Sequence, residues 1–287
     1  LLEPSKVGAE GQFSPTRYIE LLKWMLVKER NQLLIGQALG QLSNVYWNLL
    51  SEDQRLNVAP DLERTLFHCM NVLNEDPAVK KTFFNAFRNI SVTGSNLNRL
   101  YSIWDQDKSV KINGLSLSEN DFIALASDLA IKMPDRADEI VETQLTRIKN
   151  PDAKRRFEFI MPTLLNDLAK RDEFFESLKL EKNRETESWV LGAVGNLHHP
   201  LRRKESIKYI LPSLELLQEI QQTGDIFFPT RWLDQNLGSH NSMEAVKIVE
   251  EFLFDHPDYN AQLTMKILQS VDMAKRSSKI LEKTAKK

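Results

Sequence analysis

The chain of 287 residues is predicted to be all-α, and three observations carry that expectation. Apolar residues recur at i, i+3, i+4 and i+7 from residue 15 onward, with no strand alternation competing. Turn formers are sparse, ten Gly and eleven Pro making about 7 percent of the chain against a usual share of roughly 12 percent. Phe159-Ile160-Met161-Pro162-Thr163-Leu164 is echoed 50 residues later by Tyr209-Ile210-Leu211-Pro212-Ser213-Leu214. That interval is slightly longer than the roughly 40–47 residues of HEAT and armadillo helix pairs. Together they predict a HEAT/armadillo-like α-α superhelix of about a dozen helices. In the echo, either each proline bends its helix at an equivalent layer, or two helices merely share a kink.

Residues 1–14 are polar and contain glycine, which reads as a connector from an upstream domain, and 15–287 as a single helical-repeat domain. The chain begins at Leu1 and its first residues lack the charged and apolar regions of a secretory signal, so a piece of a longer polypeptide is expected. The first helix shows its oily face as Tyr18, Leu21, Leu22, Met25 and Leu26. Ser51 with Gln54, and Ser118 with Asp121, stand at capping-box spacing, where a hydroxyl and a side chain three residues on satisfy each other's backbone donors. Asp76-Pro77 and Asn150-Pro151 read as caps followed by a proline whose missing N–H costs nothing in the first turn. Between them, 107–117 mixes charge, Gly114 and Ser116 without a face and is expected to be a loop. Helical stripes return as Phe122, Leu125, Ala126, Leu129 and Met133, as Ile207, Ile210, Leu211, Leu214 and Leu217, and as Ala245, Val246, Val249, Phe252 and Leu253.

The net charge of −2, from 38 basic and 40 acidic residues, argues against a general nucleic-acid binder or a cationic membrane-surface protein. No apolar stretch approaches the ~18 residues of a membrane span. Cys69 is the one cysteine, so no internal disulfide or cysteine-type metal site is available, and its apolar surroundings predict an inert thiol. Of the five histidines only His198 and His199 are close, and adjacent helical residues point about 100° apart. They are expected to close a helix end rather than hold a metal. H-E-x-x-H, G-x-S-x-G, G-x-G-x-x-G and the P-loop are all missing, so neither catalytic nor metal residues are assigned in this chain. The five tryptophans, Trp24, Trp47, Trp104, Trp189 and Trp232, are expected in cores or helix interfaces. Lys154-Arg155-Arg156, Arg202-Arg203-Lys204 and the terminal lysines form the basic clusters. The first precedes Pro162, where an arginine held near a bend would present its fork to a carboxylate; a surface salt bridge is the alternative.

Several stretches in order carry a family resemblance: Asn150-Pro151-Asp152-Ala153-Lys154-Arg155-Arg156-Phe157-Glu158-Phe159-Ile160-Met161-Pro162, then Arg171-Asp172-Glu173-Phe174-Phe175, Trp189-Val190-Leu191, His198-His199-Pro200-Leu201-Arg202 and 224–233. They resemble the C-terminal helical domain of the aminopeptidase N family of zinc metallopeptidases, most of all its bacterial members. The resemblance covers about 150–260; residues 1–149 match only in helical character and in lesser pieces. It implies a HEAT-like domain that covers the active site of an upstream catalytic domain in cis, with zinc held there and none in this chain, and peptides as substrates. It also implies a periplasmic or cell-envelope parent, with the cytoplasm as the alternative. Some members of that family carry R-x-K-F-x-R-P, whose cations meet the substrate's C-terminal carboxylate. Here Arg156 matches the first arginine, whereas the lysine is Glu158 and the arginine before proline is Met161. Arg156, helped by Arg155, is therefore the substrate-binding candidate. A free-standing helical-repeat scaffold that binds a protein partner is the rival reading.

Overall fold

The computed structural model describes residues 14–73, 76–110 and 112–285; the predicted connector, apart from Ser14, lies outside them. The fold is all-α, with no strand among the described residues. It divides into two compact units, one ending at Met133 and the other beginning at Pro134.

The first unit holds α1 (Pro15–Lys28), α2 (Gln32–Asn44), α3 (Glu52–His68), α4 (Pro77–Ile90), α5 (Gly94–Trp104) and α6 (Glu119–Lys132). Both capping boxes form as their spacing predicts, Ser51 with Gln54 at the start of α3 and Ser118 with Asp121 at the start of α6. Asp76 accepts from the Ala78 N–H ahead of α4, with Pro77 in the first turn. Between α5 and α6 the chain holds one short 3₁₀ turn, Lys108–Val110, in the stretch that lacks an apolar face. The ends of α2 and α3 widen into π-helical turns, Val45–Leu49 and Cys69–Leu73. Helix ends are tied by buried charges. Glu63 on α3 accepts from the backbone N–H groups of Val92 (2.7 Å) and Thr93 (3.1 Å), from the Thr93 hydroxyl and from Asn96 (2.8 Å), fixing the start of α5. Lys132 donates to the Arg88 and Asn89 carbonyls (2.5 and 2.7 Å), closing the end of α4.

On α1 the buried face is Tyr18, Ile19, Leu22 and Leu26, while Leu21 is 54% exposed, so the stripe is narrower than the spacing predicts. Trp47 and Trp104 are core residues, but Trp24 is 59% exposed with the Lys28 ammonium 4.4 Å above its ring. Cys69 is buried, and burial pushes its thiol up to about 11, as expected for an inert cysteine. His68 beside it is exposed, so the two point apart.

The second unit holds α7 (Ala137–Arg147), α8 (Pro151–Leu164), α9 (Leu168–Ser177), α10 (Glu187–Leu197), the short α11 (Arg203–Ser206), α12 (Ile210–Glu215) and α13 (Leu217–Thr223), then α14 (Phe228–Leu237), α15 (Met243–Asp255) and α16 (Ala261–Ala285). Packing follows chain order: α8 lies on α10, α10 on α14 and α14 on α16. Hydrogen bonds mark each step, Asn196 to Thr163 (3.1 Å), His198 to His240 (2.8 Å) and Ser270 to Asp234 (3.0 Å). Their separations of 33, 42 and 36 residues give the period of the stack, which lies below the 50-residue echo and within the range of helix-pair repeats.

The echo therefore does not mark equivalent layers. Pro162 sits in the last turn of α8, whereas Pro212 is the third residue of α12, which follows a 3₁₀ turn at Ile207–Tyr209. A proline in a first turn forfeits no helical hydrogen bond, so only Pro162 interrupts its helix. The stripe at 207–217 is accordingly not one helix but short α and 3₁₀ pieces, and Leu211 is 43% exposed.

Candidate functional site

Asn150 opens α8 by accepting from the Asp152 and Ala153 N–H groups (2.9 and 3.1 Å), and Pro151 occupies the first turn. Phe157, Ile160, Thr163 and Leu164 form the buried face. That periodicity leaves Arg155, Arg156 and Glu158 exposed. Arg155 turns back to pair with Asp152 on its own helix, the surface salt bridge weighed above. Arg156 leans across to α10, where a Cβ on Gly192 would stand 3.9 Å from its guanidinium, and it has no ion-pair partner among the described residues. The sequence places both arginines together, but the helix separates them by about 100°.

One turn after Arg156, the half-buried Phe159 packs edge-on against Phe174 of α9, centroids 5.3 Å apart, and against Trp189 of α10 at 5.8 Å. Trp189 stands one turn before Gly192. Arg156 thus stands on a helix whose last turn is firmly held. The hold comes from Arg202, which is buried and donates to the Thr163, Leu164 and Leu165 carbonyls, the latter two at 2.9 and 3.1 Å. Arg203 likewise donates to the Ser239 carbonyl past the end of α14, while the Ser239 hydroxyl donates to the His198 carbonyl at the end of α10. Arg202 and Arg203 of the second basic cluster are thereby clamps on helix C-termini, where cations are favoured.

The two adjacent histidines divide. His199 accepts from the Leu201 N–H at 3.2 Å and starts the next turn. His198 is fully buried; it meets not a carbonyl but the His240 ring, Nδ1 to Nε2 at 2.8 Å, with its own Nε2 left without a hydrogen-bond partner. Burial, then the neighbouring His240, holds His198 well below the ordinary imidazole range, and burial with Arg203 pushes His240 down to about 4. The His198 ring meets no free carbonyl at the end of α10, where the Ser239 hydroxyl does so; at the end of α15, His256 Nδ1–H donates to the Phe252 carbonyl at 2.8 Å. No group of three or more His, Cys, Asp or Glu side chains among the described residues is placed to hold a metal ion.

On its other flank α8 faces α9 across an open groove of about 510 Å³. Met161, Pro162, Leu165 and Phe174 line its apolar part and Glu158, Glu173, Lys170 and Ser177 its polar part. Glu158 and Met161, the two departures from the family motif, thus open into a space distinct from the Arg156 flank. The approach of Gly192 to Arg156 was not readable in the sequence, because α8 and α10 are joined through α9.

No protein-family model matches the chain, and no curated protein is significantly similar to it. No described helix is long and apolar enough to cross a membrane.

Proposed function

We propose that the chain is the C-terminal helical domain of a zinc-dependent aminopeptidase, walling and gating the peptide chamber of an upstream catalytic domain that removes N-terminal residues. Zinc and the general base belong to that upstream domain, since this chain has no H-E-x-x-H; alone it is inactive. The observation that supports the reading is Arg156: Arg202 and Arg203 are spent on carbonyls at helix ends, whereas this guanidinium stays exposed beside Gly192 of α10 with no ion-pair partner among the described residues. In the chamber it meets the C-terminal carboxylate of short peptides by a charge-assisted hydrogen bond. Arg155 contributes only long-range positive potential, because Asp152 holds its head.

A charge-assisted contact of about 1.5–3 kcal/mol corresponds to roughly a ten- to hundredfold change. In the full-length enzyme Arg156→Ala is therefore expected to lower kcat/KM for short peptides by up to about a hundredfold and to leave amino-acid anilides, which have no carboxylate, unchanged. Activity and zinc content are compared for this chain, the full-length product and a product truncated before Leu1. Activity and zinc confined to products with the upstream region support the domain assignment. A zinc-free, inactive full-length product refutes it and favours a scaffold, and an unchanged short-peptide preference in Arg156→Ala removes the carboxylate role.

A further inference from the structure

We propose that the groove between α8 and α9 binds an arginine side chain presented by a peptide segment. The argument starts from charge left over. Along α9 the other carboxylates are engaged: Asp167 with Lys170 at 4.0 Å, Asp172 with Lys208 at 2.6 Å and Glu176 with Lys179 at 2.7 Å. Glu158 and Glu173, one from each helix that walls the groove, have no ion-pair partner among the described residues. Lys170 also lines the groove, but Asp167 competes for its ammonium, and the two glutamates leave the groove net negative.

A third acceptor comes from the backbone. Pro162, which also lines the groove, has no N–H to give to the Glu158 carbonyl, so that carbonyl lacks its i+4 helical donor. Beneath these acceptors lie Met161, Leu165 and Phe174, an apolar floor suited to a methylene stem. A stem with a planar cation matches this arrangement, because guanidinium carries five donors in a fixed fork and reaches several acceptors at once, whereas ammonium is a compact, strongly hydrated point charge. The site lies wholly on this chain and stands apart from the peptidase reading. Arg156 projects from the opposite flank of α8, since residues two apart on a helix diverge by about 200°.

The test is calorimetric titration of the 287-residue chain with acetyl-Leu-Arg-Leu-amide, whose blocked termini cannot engage Arg156 as a carboxylate would. Replacing arginine by citrulline, which keeps shape and removes charge, is expected to weaken binding about tenfold or more, and lysine several-fold. Glu158→Gln and Glu173→Gln are each expected to weaken it about three- to tenfold, with the exposed Glu181→Gln as an unchanged control; all three are surface substitutions that preserve helicity. Equal affinity for the arginine and citrulline peptides, indifference to both glutamine variants, or no saturable binding overturns the proposal. Equal affinity for the lysine peptide overturns the assignment to arginine. Because the probe has no free carboxylate and no enzyme activity is read, failure here leaves the Arg156 reading to its own test.

Discussion

Replacing Arg202 by methionine tests whether the buried guanidinium holds the end of α8. The wild-type side chain is 6% exposed and donates to three successive carbonyls, those of Thr163, Leu164 and Leu165. At about 1.5–3 kcal/mol for each charge-assisted contact, the gross contribution is roughly 4.5–9 kcal/mol. Burial, followed by the Arg171 charge, opposes this and pushes the Arg202 pKa down to about 10 from 12.5. The cost of burying the charge offsets part of that sum, leaving a net destabilisation of about 3 kcal/mol on substitution, because methionine fills the stem's volume and offers the carbonyls nothing. For a unit of this size that corresponds to a drop in Tm of roughly 6–12 °C. Urea unfolding followed by circular dichroism reads it as a lower midpoint at unchanged slope. Arg202→Lys, which keeps the charge and loses the fork, is expected to fall between the two. Stability within about 0.5 kcal/mol of wild type for Arg202→Met would refute the clamp, since that is the scatter of inconsequential surface changes.

The buried imidazoles make stability depend on pH. His240 is held at about 4 and His198 well below 6.5, so the unfolded chain binds more protons than the folded one as pH falls below 6.5. Stability is complete above that value and is lost on acidification towards the folded pKa, by about 2 kcal/mol at pH 5 for His240 alone. Urea midpoints between pH 7.5 and 5 check this; a His240→Gln variant with the same acid slope as wild type would remove the pair as its cause. At the end of α5, Gln106 adopts φ 62 after the cap residue Asp105, and the Asp107 N–H reaches back to the Ser102 carbonyl at 2.9 Å. Glycine is at ease in that left-handed position, so Gln106→Gly is expected to stabilise by about 0.5–1 kcal/mol, and a lower Tm would contradict the assignment of strain there.

What was legible in the sequence was local. Ser51 with Gln54, Ser118 with Asp121, and Asn150-Pro151 specify helix starts through partners within three residues, and all three starts form. The clamps were not legible, because Arg202 finds the Thr163–Leu165 carbonyls 37 to 39 residues away and His198 finds His240 42 residues away. Only the stacked fold supplies those neighbours. The echoed prolines misled for a related reason: identical hydrophobic surroundings say nothing of which turn a proline occupies, and a 3₁₀ turn ahead of α12 moves Pro212 to a helix start. At the candidate site the motif singled out Arg156, but the space around its guanidinium is a property of α10, where a glycine stands opposite.

The π turn after α2 bears on how the first unit keeps its helices in phase. Through α2 the buried residues are Ile35, Ala38, Leu39 and Leu42, the rhythm of an ordinary helix presenting one stripe. Then Val45, Tyr46, Trp47, Leu49 and Leu50 are all buried within six residues, a density that a regular α-helix would have to carry around most of its circumference. A wider turn takes up an extra residue and resets the angular count by close to one position, about 100°. The buried stripe thereby swings around the axis over the last five residues, before the chain turns extended at Leu50 and restarts as α3. A residue gained or lost there alters the width of that terminal turn alone, because the capping box of Ser51 with Gln54 starts the next helix independently.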